Sequence, residues 1–141
     1  MEFGPLKLKH CRYGWMLFSG PYIGKCFELY GEYSESEVAL MADFIQPGDT
    51  VIDVGANIGD LTLPMARMVG ASGKVYAFES HSVSYHTLCA NIALNQICTV
   101  KTINAFAGAA DSEPGASYTS DIFPVSTVTI DSLVSVNKVS A

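Results

Sequence analysis

Hydrophobic and polar positions along this chain switch between two periods, and the switches divide it into elements. Residues 1–30 carry aromatic side chains punctuated by glycine, which predicts short strands and turns. Ser34-Glu-Ser-Glu37 has the form of a capping box, where Ser34 and Glu37 would satisfy each other's backbone N–H groups. Val38, Met41, Ala42 and Ile45 follow at i, i+3, i+4 and i+7, predicting a helix with one apolar stripe that Pro47-Gly-Asp49 ends. Thr50-Val-Ile-Asp-Val54 is a β-branched run suited to a buried parallel strand. Leu61 to Val69 reads as a helix in which Pro64 is awkward. Lys74 to Glu79 reads as a strand, and Ser82 to Asn95 as a helix with the stripe Tyr85, Leu88, Cys89 and Ile92. Val100 to Phe106 is a third strand.

Residues 50–106 therefore spell β-α-β-α-β, and helices between strands require those strands to run parallel. The fold class is α/β. Beyond it, Asp111-Ser-Glu-Pro-Gly115 predicts a turn, Ala116 to Ser120 a weak strand and Val125 to Ile130 a better one. The 141 residues read as one domain: a strand-and-turn segment at 1–33, a core at 34–110, and a hairpin with a tail at 111–141.

Composition narrows the class. With 49% hydrophobic and 16% charged residues, the chain can bury a core, which excludes disorder. The net charge of −6 argues against a broad phosphate-binding surface, so no nucleic-acid partner is expected. Lys7, Lys9 and Arg12 leave room for one local basic patch. Gly14, Gly20 and Pro21 interrupt the apolar run near the amino terminus, and Ser80 to Val100 lacks charge but keeps recurring Ser, His, Asn and Gln. Neither stretch suits a signal peptide or a membrane span, so a soluble, cytoplasmic protein is expected. Cys11, Cys26, Cys89 and Cys98 form no C-x-x-C pair and meet no histidine cluster. They are expected as buried or partly buried free thiols, with no metal site.

The chemistry concentrates in Val51-Ile-Asp-Val-Gly-Ala-Asn-Ile-Gly59. Gly55 permits a tight turn where a ligand approaches the backbone, and the helix start beyond it favours a carboxylate. Asp53, at the strand end, is placed to accept an ammonium. Glu79 closes the next strand and can accept both hydroxyls of a ribose. Amino acid, ribose and adenine together describe S-adenosylmethionine. NAD competes, but its G-x-G-x-x-G pattern has no place for Asn57. The bland alternative is a ligand-free Asp-x-Gly turn with Glu79 capping the next helix. His10, His81 and His86 suggest no catalytic base.

Tyr22-Ile-Gly24, Tyr30-Gly-Glu-Tyr33, Ser34-Glu-Ser-Glu37, Pro47-Gly-Asp49, Asp53-Val-Gly-Ala-Asn-Ile-Gly59, Val75-Tyr-Ala-Phe-Glu79 and Asn91-Ile-Ala-Leu-Asn95 occur in that order, and the chain resembles the FkbM-type methyltransferases over residues 12–134. The resemblance implies a Rossmann-like class I methyltransferase fold of three α-β-α layers. It also implies S-adenosylmethionine as cofactor and O-methylation of a sugar or small natural product. By the same resemblance Asp53, Gly55, Ala56, Asn57 and Gly59 surround the methionine part, Glu79 and Ser80 the ribose, Ala107 the adenine, and Glu32 the mouth. The family places Asn-Asp before Tyr-Ile-Gly and Pro after the second acid, where this chain has Gly20-Pro21 and Ser80. The family's Lys-x-Asp-x-Glu-Gly strand does not occur, which implies a core truncated before its fourth strand. Thr50–Val54 would then be a sheet edge, either self-associating as a homo-oligomer or covered by residues 116–130. A non-catalytic nucleotide-binding or assembly module is the alternative function.

Overall fold

The computed structural model describes residues 2–3, 5–109 and 125–132. The chain opens with an antiparallel meander of β1 (Glu2–Phe3), β2 (Leu6–Cys11) and β3 (Gly14–Phe18), in which His10 faces Trp15 and Cys11 faces Gly14. Met16 and Phe18 are buried while Trp15 is exposed, the alternation that a strand with one covered face requires. The turns expected up to residue 30 give way to a helix, α1 (Ile23–Tyr30). Its i, i+4 pair Ile23 and Phe27 packs into the core around Phe18. Gly31 ends it at φ +73°, donating to the Phe27 carbonyl at 3.0 Å.

α2 (Glu35–Ala42) forms where expected but starts differently. Ser34 has φ +53° and its hydroxyl caps nothing, so the capping box does not form. The Ser34 carbonyl instead accepts the N–H groups of Glu37 and Val38, and Glu35 and Glu37 place negative charge against the first-turn dipole.

The core follows the expected alternation: β4 (Thr50–Val54), α3 (Thr62–Val69), β5 (Lys74–Phe78), α4 (Ser82–Leu94) and β6 (Val100–Ile103). The strands pair in parallel in the order β4-β5-β6, leaving β4 terminal among the described residues. Pro64 is the third residue of α3, where its missing N–H costs no helical bond. On one sheet face Val75 packs with Met65, Ala66 and Val69 of α3, and Ala77 with Leu63 of α3 and Leu88 and Ile92 of α4. Full burial of side chains such as Leu63, Leu88, Val69 and Val75 stabilises by about 1.5–3 kcal/mol each. On the opposite face Ile52, Tyr76 and Lys101 stand side by side in register.

The third expected strand is broken at Asn104 into β6 and β7 (Ala105–Ala107). Asn104 turns its amide back to the Glu79 carbonyl at 2.8 Å. β8 (Ser126–Val128) lies within the expected strand at 125–130 and pairs in parallel with β7; among the described residues it does not pair with β4. The expected turn at 111–115 and strand at 116–120 lie outside the described residues.

The meander docks on α4 through two asparagines one turn apart. Asn91 accepts the Leu17 N–H at 2.7 Å and donates to the carbonyls of Leu17 and Ile58 at 3.0 and 2.8 Å. Asn95 accepts the Trp15 N–H at 2.8 Å and donates to the Trp15 carbonyl at 2.7 Å. The two amides present to β3 the donor and acceptor pattern of a neighbouring strand. All four cysteines are free, and Cys98 is exposed rather than buried. No helix among the described residues is long and apolar enough to cross a membrane.

Candidate functional site

The carboxyl ends of β4 and β5 bring Asp53 and Glu79 to one place, with the turn 55–59 between them. Gly55 takes φ +81°, a conformation that costs other residues. This lets the N–H groups of Gly55 and Ala56 both reach the Phe78 carbonyl, at 2.9 and 2.8 Å. The Asn57 N–H bonds Glu79 Oε2 at 2.8 Å, and the Gly59 N–H bonds the Ala56 carbonyl at 2.8 Å. The turn therefore spends these amides on the protein itself.

What the turn offers is negative charge. Asp53 is buried, and its Oδ2 accepts the Thr62 hydroxyl at 2.6 Å from the first residue of α3. Burial pushes its pKa up, the Thr62 hydrogen bond holds it down, and the charge of Glu79 pushes it up again. Glu79 is also buried, and its Oε1 accepts the His81 N–H at 2.7 Å. Its carboxylate thus pins two loops, which is close to the bland alternative of a capping acid. An ionised carboxylate has about four acceptor positions, so two backbone bonds leave room for a hydroxyl pair.

A third acid was not singled out from the sequence. Asp60 precedes α3, and its Oδ1 is buried without a hydrogen-bond partner. Burial first, opposed by its own backbone N–H, and then the charges of Asp53, Glu37 and Glu79 carry its pKa up to about 6. In the sequence, an acid next to a helix start is indistinguishable from ordinary dipole compensation.

Gly55, Ser80 and Ala107 line one cavity of about 160 Å³ with Val54, Phe78, Ala105 and Phe106. A second, of about 390 Å³, adjoins it at Val54 and Ala107 and continues along Thr129, Ile130 and Asp131. Apolar walls next to buried carboxylates suit a ligand with an aromatic base and a cationic end. The donor set therefore fits S-adenosylmethionine, whose sulfonium and ammonium are both positive. Glu32 is elsewhere engaged: Arg12 pairs with it and with Glu35, which also accepts the Tyr13 hydroxyl at 2.9 Å. Among the described residues no hydrogen bond or ion pair joins Glu32 to Asp53 or Glu79. Of the histidines, His81 caps α4 by accepting the Ser84 N–H, and His10 stacks edge-on against Trp15.

A parallel sheet in this order with strand-end acids is the Rossmann-like fold of S-adenosylmethionine-dependent methyltransferases. The TRM5/TYW2 methyltransferase domain matches residues 28–139, and the chain belongs to that family. The finer FkbM assignment gives way to it. The chain is 38% identical over 77 residues to a tRNA(Phe) (4-demethylwyosine(37)-C(7)) aminocarboxypropyltransferase of Methanocaldococcus jannaschii, covering 55% of this chain and 30% of that relative's length. Among solved structures it is similar to M. jannaschii TYW2 in complex with AdoMet, at 31% identity and TM-score 0.52, over 73% of this chain and 44% of that one. P. horikoshii TYW2 in complex with MeSAdo matches at 25% identity and TM-score 0.54, over 71% of this chain and 36% of that one. Trm5b of Pyrococcus abyssi, at 17% identity and TM-score 0.55, shares the fold over 72% of this chain and 28% of its own.

These relatives correct the exclusion of nucleic acid, since the curated one is named for tRNA(Phe). A net charge sums over the chain and does not say where its cations stand.

Proposed function

We propose that this chain is the S-adenosylmethionine-binding domain of a transferase that modifies tRNA. One observation carries the reading: Asp53 and Glu79 stand at the carboxyl ends of adjacent strands on either side of the Gly55–Gly59 turn, whose Asn57 N–H bonds Glu79, beside the cavity of Gly55, Ser80 and Ala107. Glu79 would hold the ribose. Asp53 and Asp60 would face the cationic amino-acid end, and Ala56, Asn57 and Gly59 would shape the floor beneath it. Ser80 and Ala107 would border the base. Glu32, held by Arg12, would bear on that site only as part of its rim.

The cofactor supplies a carbon activated by a sulfonium: a nucleophile bonds to that carbon, the C–S bond breaks, and its electron pair stays on sulfur. Attack at the methyl leaves S-adenosylhomocysteine, and attack at the aminocarboxypropyl carbon leaves methylthioadenosine. The family's name supports the first outcome and the curated relative's name the second. The protein's part is orientation of the two reactants, which can lower a barrier by several kcal/mol, roughly 7–11 in the best intramolecular cases.

The test incubates the protein with S-adenosylmethionine and an unmodified tRNA(Phe) transcript and identifies the released nucleoside by mass spectrometry. Either product supports the reading, and which one appears fixes the group transferred. Calorimetry runs beside it. Asp53→Ala and Glu79→Ala should each weaken cofactor binding at least tenfold, and unchanged binding in both would overturn the site. Cofactor binding with neither product released would favour a non-catalytic binding module. A hydroxyl-bearing small molecule is the second acceptor reading, favoured by the ordered motif series from Tyr22 to Asn95. Nucleoside release with such an acceptor, and none with tRNA, would select it.

A further inference from the structure

A buried carboxylate oxygen needs a hydrogen-bond donor, a proton or a cation. The acids around the Gly55–Gly59 turn differ in which of these they have. Glu79 accepts the Asn57 and His81 N–H groups, one on each oxygen. Asp53 Oδ2 accepts the Thr62 hydroxyl. Asp60, two residues before Thr62, has a buried Oδ1 that accepts nothing. The charges of Asp53 on β4, Glu37 on α2 and Glu79 after β5 all act on it.

The basic side chains are engaged elsewhere. Lys7 and Lys25 pair with Glu28, and Arg12 with Glu32 and Glu35. Lys9 donates to the carbonyls of Phe27 and Glu28, and Arg67 Nε to that of Tyr13. His81 stands two positions from Glu79, but its Nδ1 accepts the Ser84 N–H at 3.3 Å and so serves α4. Among the described residues, no ion pair reaches Asp53, Asp60 or Glu79.

We infer that in the empty site a proton on Asp60 takes the place of the cofactor's positive charge, and that S-adenosylmethionine expels it on binding. This rests on the cofactor reading above and adds how the site tells the charged cofactor from its spent form. The carboxyl O–H bond breaks, its electron pair stays on oxygen, and the proton passes to solvent. No bond to the cofactor forms. A sulfonium keeps its charge at every pH, so it offsets the acids as the proton did. Once the C–S bond has broken, the sulfur is neutral. Methylthioadenosine carries neither sulfonium nor ammonium, so with it bound Asp60 keeps its proton. Asp60 is thereby a specificity-determining residue, reading the charge of the ligand.

The Asp60 pKa of about 6 sets the window. Below it the empty site holds a proton that binding must remove, so affinity is lower there. Affinity therefore rises with pH through about 6 and levels off above it.

The experiment is calorimetry of the full chain with S-adenosylmethionine from pH 5 to 7, repeated at pH 6 in buffers of different ionisation enthalpy. Affinity should rise about tenfold across the range, with about half a proton released at pH 6. Methylthioadenosine should show no such rise. In Asp60→Asn the rise for S-adenosylmethionine should shrink to less than about twofold and the buffer dependence should vanish, while a cooperative thermal melt shows that the variant folds. If the wild type binds with no pH dependence, or Asp60→Asn keeps the full rise, the inference is overturned and the cofactor reading stands. If neither protein binds S-adenosylmethionine at any pH, that reading fails and the inference with it. If magnesium chloride alone raises the melting temperature of the wild type and not of Asp60→Asn, the site is built for a metal ion and the inference is overturned.

Discussion

Asp60 sits where its own charge is unwelcome, and the sign of the consequence follows from linkage. Its pKa rises from 3.8 to about 6 on folding, so between those values the folded chain keeps a proton that the unfolded chain has released. Stability from this group is therefore greatest below the lower value, falls as pH rises toward 6, and stays reduced above it. Asp60→Asn should raise the melting temperature at pH 7 and flatten its pH profile, by on the order of 1–3 kcal/mol. Thermal melts from pH 4 to 8 on the ligand-free protein check this. The same substitution should weaken S-adenosylmethionine binding, since it removes a carboxylate from the cationic end. Gly59 makes a second, purely steric prediction. It has φ +94°, and an added Cβ would lie 3.0 Å from Leu88 Cδ1 and 3.2 Å from Leu63 Cδ1. Gly59→Ala should cost about 2 kcal/mol in denaturant unfolding. Asp53 and Glu79 were visible in the sequence because an acid closing a buried strand is unusual. Asp60 was not, because an acid near a helix start is ordinary. Ser34 misled for a related reason: the capping-box letters are present, but a positive φ turns the hydroxyl away from the job.

The hinge between meander and core is the amide pair on α4. Asn91 makes three hydrogen bonds and is wholly buried, so truncating it leaves the backbone groups of Leu17 and Ile58 unpaired. Asn91→Ala should cost about 2–4 kcal/mol, from more than one unsatisfied buried group. Hydrogen exchange should show the Leu17 and Trp15 amides losing protection before those of β5. Asn95→Ala should have a smaller effect, because that side chain is half-buried. The alternation of β4, α3, β5, α4 and β6 was readable because glycines mark the turns on either side of α3, and polar stretches at 79–82 and 95–96 separate α4 from its two strands. α1 was not, because Gly24 and the aromatic residues around it look like turn punctuation until Phe27 finds the core. The break between β6 and β7 was equally hidden, since only the tertiary bond from Asn104 to Glu79 explains it.

Across the molecule, a total of −6 sums over the chain and does not say where its charges stand, which is why composition alone pointed away from nucleic acid. Ligand linkage gives a global prediction: S-adenosylmethionine at a hundredfold its Kd should stabilise the fold by about 2.7 kcal/mol. A rise in melting temperature that saturates with concentration would be the readout.

The asparagine clasp also bears on the order in which the chain can mature during synthesis. The bonds from Leu17 and Trp15 span 74 and 80 residues, so the partners of β3 leave the ribosome long after β3 itself. A small meander alone is marginally stable in water. The meander must therefore wait for its hydrogen-bond partners until α4 arrives to accept it. Its alternating lysines, Lys7 and Lys9, keep that waiting segment charged, which is the feature that protects a nascent edge from sticking to its neighbours.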